Sequence, residues 1–283
     1  MTRANSCSGV YREPAHSPGR IDDDAAILGQ VGEALAQRGF DVRLFSADVF
    51  LETPCPNVFV MCERGPILDR LAAMEKAGSI VINRPAAIRN TYRHRMIELF
   101  ARNHVSTPVS QIVATDSNKP RPADCAWLKR YDFHATQADD VMYAASETGW
   151  REALRRFAGR GIPFVVAQEH VPGDLIKFYG VRRSGAPIDG NWFERFYHRD
   201  KGMLGHAFDP AQLREAAFDA AEALELEIFG GDAIMKADGK PMIIDLNAWP
   251  SYALYRDRAA KAIADHLTER FWRRPRLVAS IGS

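Results

Sequence analysis

Three oxygen-bearing side chains near the carboxyl end of the chain have types and spacing suited to holding a divalent cation. Asp245 and Asn247 stand two residues apart in PMIIDLNA, a run that reads as a strand, so both project from one face of it. Asp232 lies on the preceding run, GGDAIM. The segment Ala237-Asp238-Gly239-Lys240 joins the two runs as a hairpin, because Asp-Gly tolerates the positive φ of such turns. A closed hairpin puts two carboxylates and an amide oxygen on one face. All three are hard ligands, suited to Mg²⁺ that keeps some waters and shares its other positions with phosphates. Ile244 and Leu246 are expected to point the other way, into apolar packing. The alternative is a polar strand end in solvent; the apolar flanks and Pro250 favour the cation.

Several other polar residues stand out against apolar surroundings. Lys129 emerges from CAWLKR, where a snorkelling surface lysine is the plainer reading. Lys177 is the one charge in LIKFYGV, and Arg195 lies in the strand NWFERFYHR that follows it. His134 sits in the polar loop YDFHATQADD. Asp174 closes a Pro-Gly-Asp turn, within reach of a ribose or simply forming the turn. Phosphoryl transfer rests on positioning and charge stabilisation and needs no nucleophile from the protein. No Ser-His-Asp arrangement competes with that reading.

The elements that must position these residues fall into three groups. Residues 9–83 alternate strand and helix: strands at Gly9–Tyr11, Asp41–Ser46, Asn57–Cys62 and Ser79–Asn83, with helices after Asp22-Asp23-Asp24 and from Pro66. This predicts a small α/β layer with a parallel sheet. It lacks a G-x-G-x-x-G after its first strand, which argues against a dinucleotide pocket. The periodicity predicts one helix over Ala86–Asn103, then strands at Val109–Ala114, Cys125–Arg130 and Val141–Ala145 and a helix at Glu147–Phe157. Strands at Phe164–Val171, Leu175–Val181 and Asn191–Arg199, a helix over Pro210–Leu226, the metal hairpin and a helix over Arg256–Phe271 complete the chain. Residues 1–7 and the last ten read as frayed ends. The expected domains are 1–84, 85–163 and 164–283.

The chain has 283 residues, 46% hydrophobic and 26% charged, with a formal net charge of +1. Such a balance gives no global field to recruit nucleic acid. No apolar run approaches the ~18 residues of a membrane span. Cys7, Cys55, Cys62 and Cys125 have no zinc-ligand spacing and are expected to be free thiols. The expected setting is cytoplasmic, the partner a small molecule with neither nucleic acid nor membrane, and the assembly a monomer or homodimer.

In their order these parts resemble the ATP-grasp superfamily, over roughly Asn83 to Leu267. Asn90–Pro108 is similar to the family's opening helix, with Arg93 where an ATP-contacting lysine usually stands. Trp127-Leu128-Lys129 resembles the second lysine, which reaches the α/β-phosphates. VVAQEHV resembles the hinge containing Gln168, with the backbone of Glu169 and Val171 reading the adenine edge. Asp232, Asp245 and Asn247 fall on the metal-ligand triad. The resemblance implies ATP and Mg²⁺ as cofactors and an α/β (α+β) ATP-grasp fold behind an N-terminal α/β pre-grasp domain.

Within the superfamily, DLNAWPSY, the Gln-Glu of the hinge and Lys177 are most like the inositol tris/tetrakisphosphate kinases. That implies transfer of the γ-phosphate to a hydroxyl, with Lys177 and Arg195 catalytic and His134, Lys177 and Arg195 on the acceptor. One alternative is a carboxylate–amine ligase acting through an acyl phosphate. Another is a nucleotide-binding regulator without turnover. The segment from Lys129 to Asp140 has no glycine, a departure from the family's phosphate-covering loop.

Overall fold

The first strand, β1 (Ser6–Val10), lies between β2 (Asp41–Phe45) and β3 (Asn57–Val60), and β4 (Ile80–Ile82) follows on the far side of β3. All these pairings are parallel. A computed structural model gives the fold; it describes residues 5–17, 19–50, 55–118, 120–121, 124–183, 185–198 and 202–272. Residues 1–4, the C-terminal tail and Arg199 fall outside those residues, whereas Ser6 and Cys7, expected to be frayed, open β1 with Cys7 fully buried. Parallel strands need crossovers, and α1 (Ile21–Gln37) and α2 (Gly65–Lys76) supply two of them. Asp22, Asp23 and Asp24 occupy the first turn of α1, where the helix dipole favours them, and Gly39 follows its end at φ +88°.

The helix expected over 86–103 is two helices, α3 (Pro85–Asn90) and α4 (Arg93–Arg102). Thr91 bonds its hydroxyl back to the Ile88 carbonyl, and Tyr92 adopts extended backbone angles and donates to the Glu63 carbonyl at 2.7 Å. The break turns Arg93 inward. An unbroken helix would carry it elsewhere.

A middle sheet runs in the order β5 (Ser110–Ala114), β8 (Phe164–Glu169), β6 (Ala126–Arg130), β7 (Val141–Ala144), and α5 (Glu147–Gly159) covers one face of it. Its core is its own: Trp150, Leu154 and Phe157 pack on Leu128 and Val165. The boundary expected at 163/164 would cut β8 from the sheet it pairs into. Helices α3 and α4 lie outside this unit; Ala87, Ile88, Met96 and Phe100 join the core shared by the outer two sheets.

The third sheet has the order β10 (Trp192–Tyr197), β9 (Asp174–Val181), β11 (Ile228–Met235), β12 (Pro241–Ala248), all antiparallel. One face packs Phe178, Phe193 and Phe229 against Phe218 of α6 (Pro210–Ala223). On the other side, α7 (Arg256–Trp272) packs Ile263 and Leu267 with Ile27 and Leu28 of α1. Buried Asn83 ties the first sheet to the third: its amide donates to the Ile228 carbonyl at 2.7 Å and accepts from the Glu227 and Ile228 amides.

Candidate active site

Cross-strand register brings the predicted oxygen ligands together. Asp232 of β11 stands opposite Asp245 of β12 on one side and opposite Lys177 of β9 on the other. Directly opposed residues share a face, so the three form a row across the sheet. The next row on that face is Tyr179, Gly230 and Asn247. A side chain at Gly230 would collide with the Tyr179 ring and Pro250, so glycine keeps this floor open.

The hairpin carries a bulge that the alternating pattern of the sequence does not reveal. Asp232 pairs with Asp245 but Ala233 pairs with Ile243, leaving Ile244 as the extra residue. Ile244 is half-buried and does not take the core position expected of it, while Ile243 and Leu246 are fully buried. The bulge frees the Ile244 carbonyl, which accepts from Lys129 Nζ at 3.3 Å. Lys129 thus reaches from the middle sheet to the third; it is buried rather than snorkelling. Gln168 Oε1 accepts from the same ammonium at 2.8 Å, and Gln168 Nε2 donates to the Ser110 hydroxyl. Burial pulls the Lys129 pKa down to about 8, against an upward pull from Asp245.

Cations and carboxylates otherwise interlock. Lys177 Nζ lies 2.9 Å from Asp232 Oδ1; burial alone would lower the lysine, but the carboxylate outweighs it and the pKa is raised. Arg93 donates to the Arg130 and Phe133 carbonyls at 3.3 and 3.1 Å and sits 3.5 Å from Asp245 Oδ2. Burial would raise Asp245, yet Arg93 and Lys129 hold it below the ordinary carboxylate value. Asp232 Oδ1 is buried and lacks a well-aligned hydrogen-bond donor. Two carboxylates and an amide oxygen on one face are a hard-oxygen donor set that fits a divalent cation, with Lys177 now holding Asp232 Oδ1 where the ion would compete for it.

Four expected residues do other work or lie elsewhere. Arg195 pairs with Phe178 and so projects from the face opposite Lys177. Its guanidinium stands over Phe208, 5.7 Å from the ring centre, so it is not beside Lys177. Asp174 is fully buried and accepts from the Leu204 and His206 amides, which staples residues 202–208 to β9 and leaves no oxygen for a ribose. Glu169 bonds Val109 twice, through its amide and its carboxylate, so its N–H is not open to a ligand. Val171 lies past the end of β8, half-exposed.

A cavity of 780 Å³ adjoins the triad, lined by Arg12, Arg20 and His134 on one side and Lys177, Tyr179 and Asn247 on the other. Arg12 and Glu63 were not singled out in the sequence. Both follow strands of the parallel sheet, β1 and β3, and side chains just past the carboxyl ends of such strands commonly line ligand crevices. That placement was the available signal. Glu63 accepts from Arg12 and from His134 Nδ1 at 2.7 Å, and lies well below the usual carboxylate range because His134 and Arg12 outweigh its burial. Arg12 also pairs with Asp24 at 3.1 Å. The glycine-poor loop after β6 is clamped: Arg130 pairs with Asp132 at 2.6 Å and stacks on Phe133, and Asp140 accepts from Thr136 and Gln137.

No family model and no curated protein matches the chain. Solved structures do. D-alanyl-alanine synthetase A from Vibrio cholerae O1 superposes with a TM-score of 0.69 at 9% identity, over 96% of this chain and 99% of its own. A RimK domain ATP-grasp protein from Sphaerobacter thermophilus gives 0.68 at 14%, over 93% and 99%. The chain has the ATP-grasp fold. The L-amino acid ligase from Bacillus licheniformis is similar as well, at 0.65 and 14%, over 94% of this chain and 75% of that one. These structures are described as a synthetase, a ligase or by fold alone, and give no support to the expected inositol phosphate kinase branch.

Proposed function

We propose that the protein is an Mg²⁺- and ATP-dependent ligase that activates a carboxylate as an acyl phosphate and passes the acyl group to an amine. The observation that carries this reading is the charge of the cavity. Lys177 is paired with Asp232, Arg12 with Glu63 and Asp24, and His134 with Glu63, which leaves Arg20, 3.5 Å from Asp23 and exposed, as the loosely held cation of the lining. A polyphosphorylated ring would need several uncommitted cations; a carboxylate carries one charge. Tyr179, Phe196 and Leu254 give the same cavity apolar wall, suited to an amino-acid or peptide acceptor. The structural neighbours described as an L-amino acid ligase and a D-alanyl-alanine synthetase favour the same class.

Asp232, Asp245 and Asn247 would hold the Mg²⁺, which neutralises charge on the terminal phosphates when bound. Lys129 and Arg93 take the phosphate oxygens, with Gln168 holding Lys129 in line. Val171 and the backbone after Glu169 border the adenine. Lys177 faces the transferred phosphoryl group and the acceptor carboxylate. The carboxylate oxygen bonds to the γ-phosphorus as the bond to the bridging oxygen of ADP breaks. The amine then attacks the acyl carbon, inorganic phosphate leaves with the bonding pair, and the nitrogen gives up one proton to solvent.

Hydroxylamine tests this. With Mg-ATP and a panel of amino acids, the protein should yield hydroxamates with one ADP and one phosphate each. A stable phosphorylated product without free phosphate would restore the kinase reading and overturn this one.

A further inference from the structure

The chain carries a second cluster of ligand atoms, of different chemistry from the oxygen triad. His16 Nδ1, Glu63 Oε2 and His134 Nδ1 all lie within 4.8 Å of one another. They come from three separate segments: the turn after β1, the residue group after β3, and the loop after β6. Glu63 Oε2 is 2.7 Å from His134 Nδ1 and 3.9 Å from His16 Nδ1. Ligand atoms around a tetrahedral zinc-type ion sit roughly 3.3 Å apart, so small side-chain adjustments suffice.

The hydrogen bonding around the cluster distinguishes a metal site from a simple ion pair. His134 Nε2 faces the His16 carbonyl at 3.1 Å, while its Nδ1 faces Glu63. Nε2–H donating to a backbone carbonyl is the arrangement that orients a metal-ligating imidazole, and a cation between Nδ1 and Glu63 Oε2 would take the place of the proton they share here. An imidazolium would satisfy both contacts too. It would not explain His16, whose side chain is nine-tenths buried with Nδ1 aimed at the same oxygen and without a hydrogen-bond partner. Arg12 holds the other oxygen of Glu63 and is itself balanced by Asp24, so Oε2 keeps its charge for the cluster. His16 and His134 both line the 780 Å³ cavity, so remaining coordination positions open toward it.

We propose that His16, Glu63 and His134 form a binding site for a borderline divalent cation of the Zn²⁺ or Co²⁺ class. Two nitrogens and one carboxylate select such ions over Mg²⁺, which prefers the all-oxygen triad. The ion would pin the loop after β6 to the N-terminal sheet, with Glu63 balancing part of its charge. This site stands independently of the ligase reading.

The test uses the full-length chain, stripped with a chelator and titrated with Co²⁺ without nucleotide. Visible d–d bands should saturate at one equivalent and persist in excess Mg²⁺. Even an outer partner of a metal ligand is worth about 10–100-fold in affinity, so His16→Ala and His134→Ala should each weaken binding ~100-fold or more. Asp245→Asn should leave it unchanged, which separates this site from the triad. His16→Cys guards against misfolding as the explanation: it should restore binding and add a thiolate charge-transfer band. Wild-type protein without stoichiometric bands, or affinity untouched by loss of either histidine, would overturn the proposal. So would a thiolate band in the wild type, which would place the ion on a cysteine instead.

Discussion

Two lysines, Lys129 buried and Lys177 half-buried, approach the same hairpin from different sheets, and their surroundings are opposite. Lys177 belongs to the sheet that carries the carboxylates and sits on Asp232, which raises its pKa. Lys129 belongs to the middle sheet and is held by two neutral oxygens, Gln168 Oε1 and the Ile244 carbonyl, with its pKa down near 8. The first is a completed pair. The second is an ammonium bonded to neutral oxygens, with Asp245 acting on it only at longer range. On the proposed reading a nucleotide's phosphates would complete Lys129, and the difference between the lysines would mark where ligand charge belongs.

Replacing each lysine by methionine should separate them most. Lys129→Met should lower kcat/KM by about 10²–10³-fold, the usual loss for one charge-stabilising donor. The same variant should unfold in urea at the wild-type midpoint or higher, because it removes a buried charge lacking a carboxylate partner. Lys177→Met should lose about 1–3 kcal/mol of stability, since Asp232 is left partly buried and unpaired. Equal stability changes for both variants would erase the distinction.

The pH dependence should differ in sign. The folded Lys129 pKa, about 8, lies below its unfolded value of 10.5. Between those values the unfolded chain binds the extra proton, so this residue makes stability rise with pH from about 8 to 10.5. Lys177 has a raised folded pKa, so its contribution is full below its unfolded value and is lost as pH climbs through the folded one. Urea titrations across that window should show the rising arm in wild type and not in Lys129→Met. A smaller effect follows on binding. Near pH 8–9 the Lys129 amine should take up a fraction of a proton when nucleotide arrives, up to about one. Calorimetry in buffers of different ionisation enthalpy measures it, and Lys129→Met should abolish it.

Much of the hairpin was legible because its determinants are local. Alternation places Asp245 and Asn247 on one face, and Asp-Gly fixes the turn. The bulge at Ile244 was not legible, since it answers to packing on β9 and to Lys129, far away in sequence. Arg195 illustrates register. Its face depends on how the 182–190 connection seats β10 against β9, and a one-residue difference there moves every side chain across the sheet. Arg93 was found by resemblance, but its inward turn comes from Tyr92 reaching Glu63. Asp174 looked like a turn residue with a free carboxylate; its partners lie thirty residues on, at Leu204 and His206. The His16–Glu63–His134 cluster joins three distant segments, and nothing in their spacing announces it.

The most direct test of the account is nucleotide binding as a function of Mg²⁺. Calorimetry should show ATP binding to the wild type with Mg²⁺ present, weakened at least ~100-fold with chelator. The Asp232→Asn/Asp245→Asn variant, checked for folding by circular dichroism, should show the weak value under both conditions. Equal affinity of the wild type with and without Mg²⁺, or tight Mg²⁺-dependent binding by the double variant, would contradict the account.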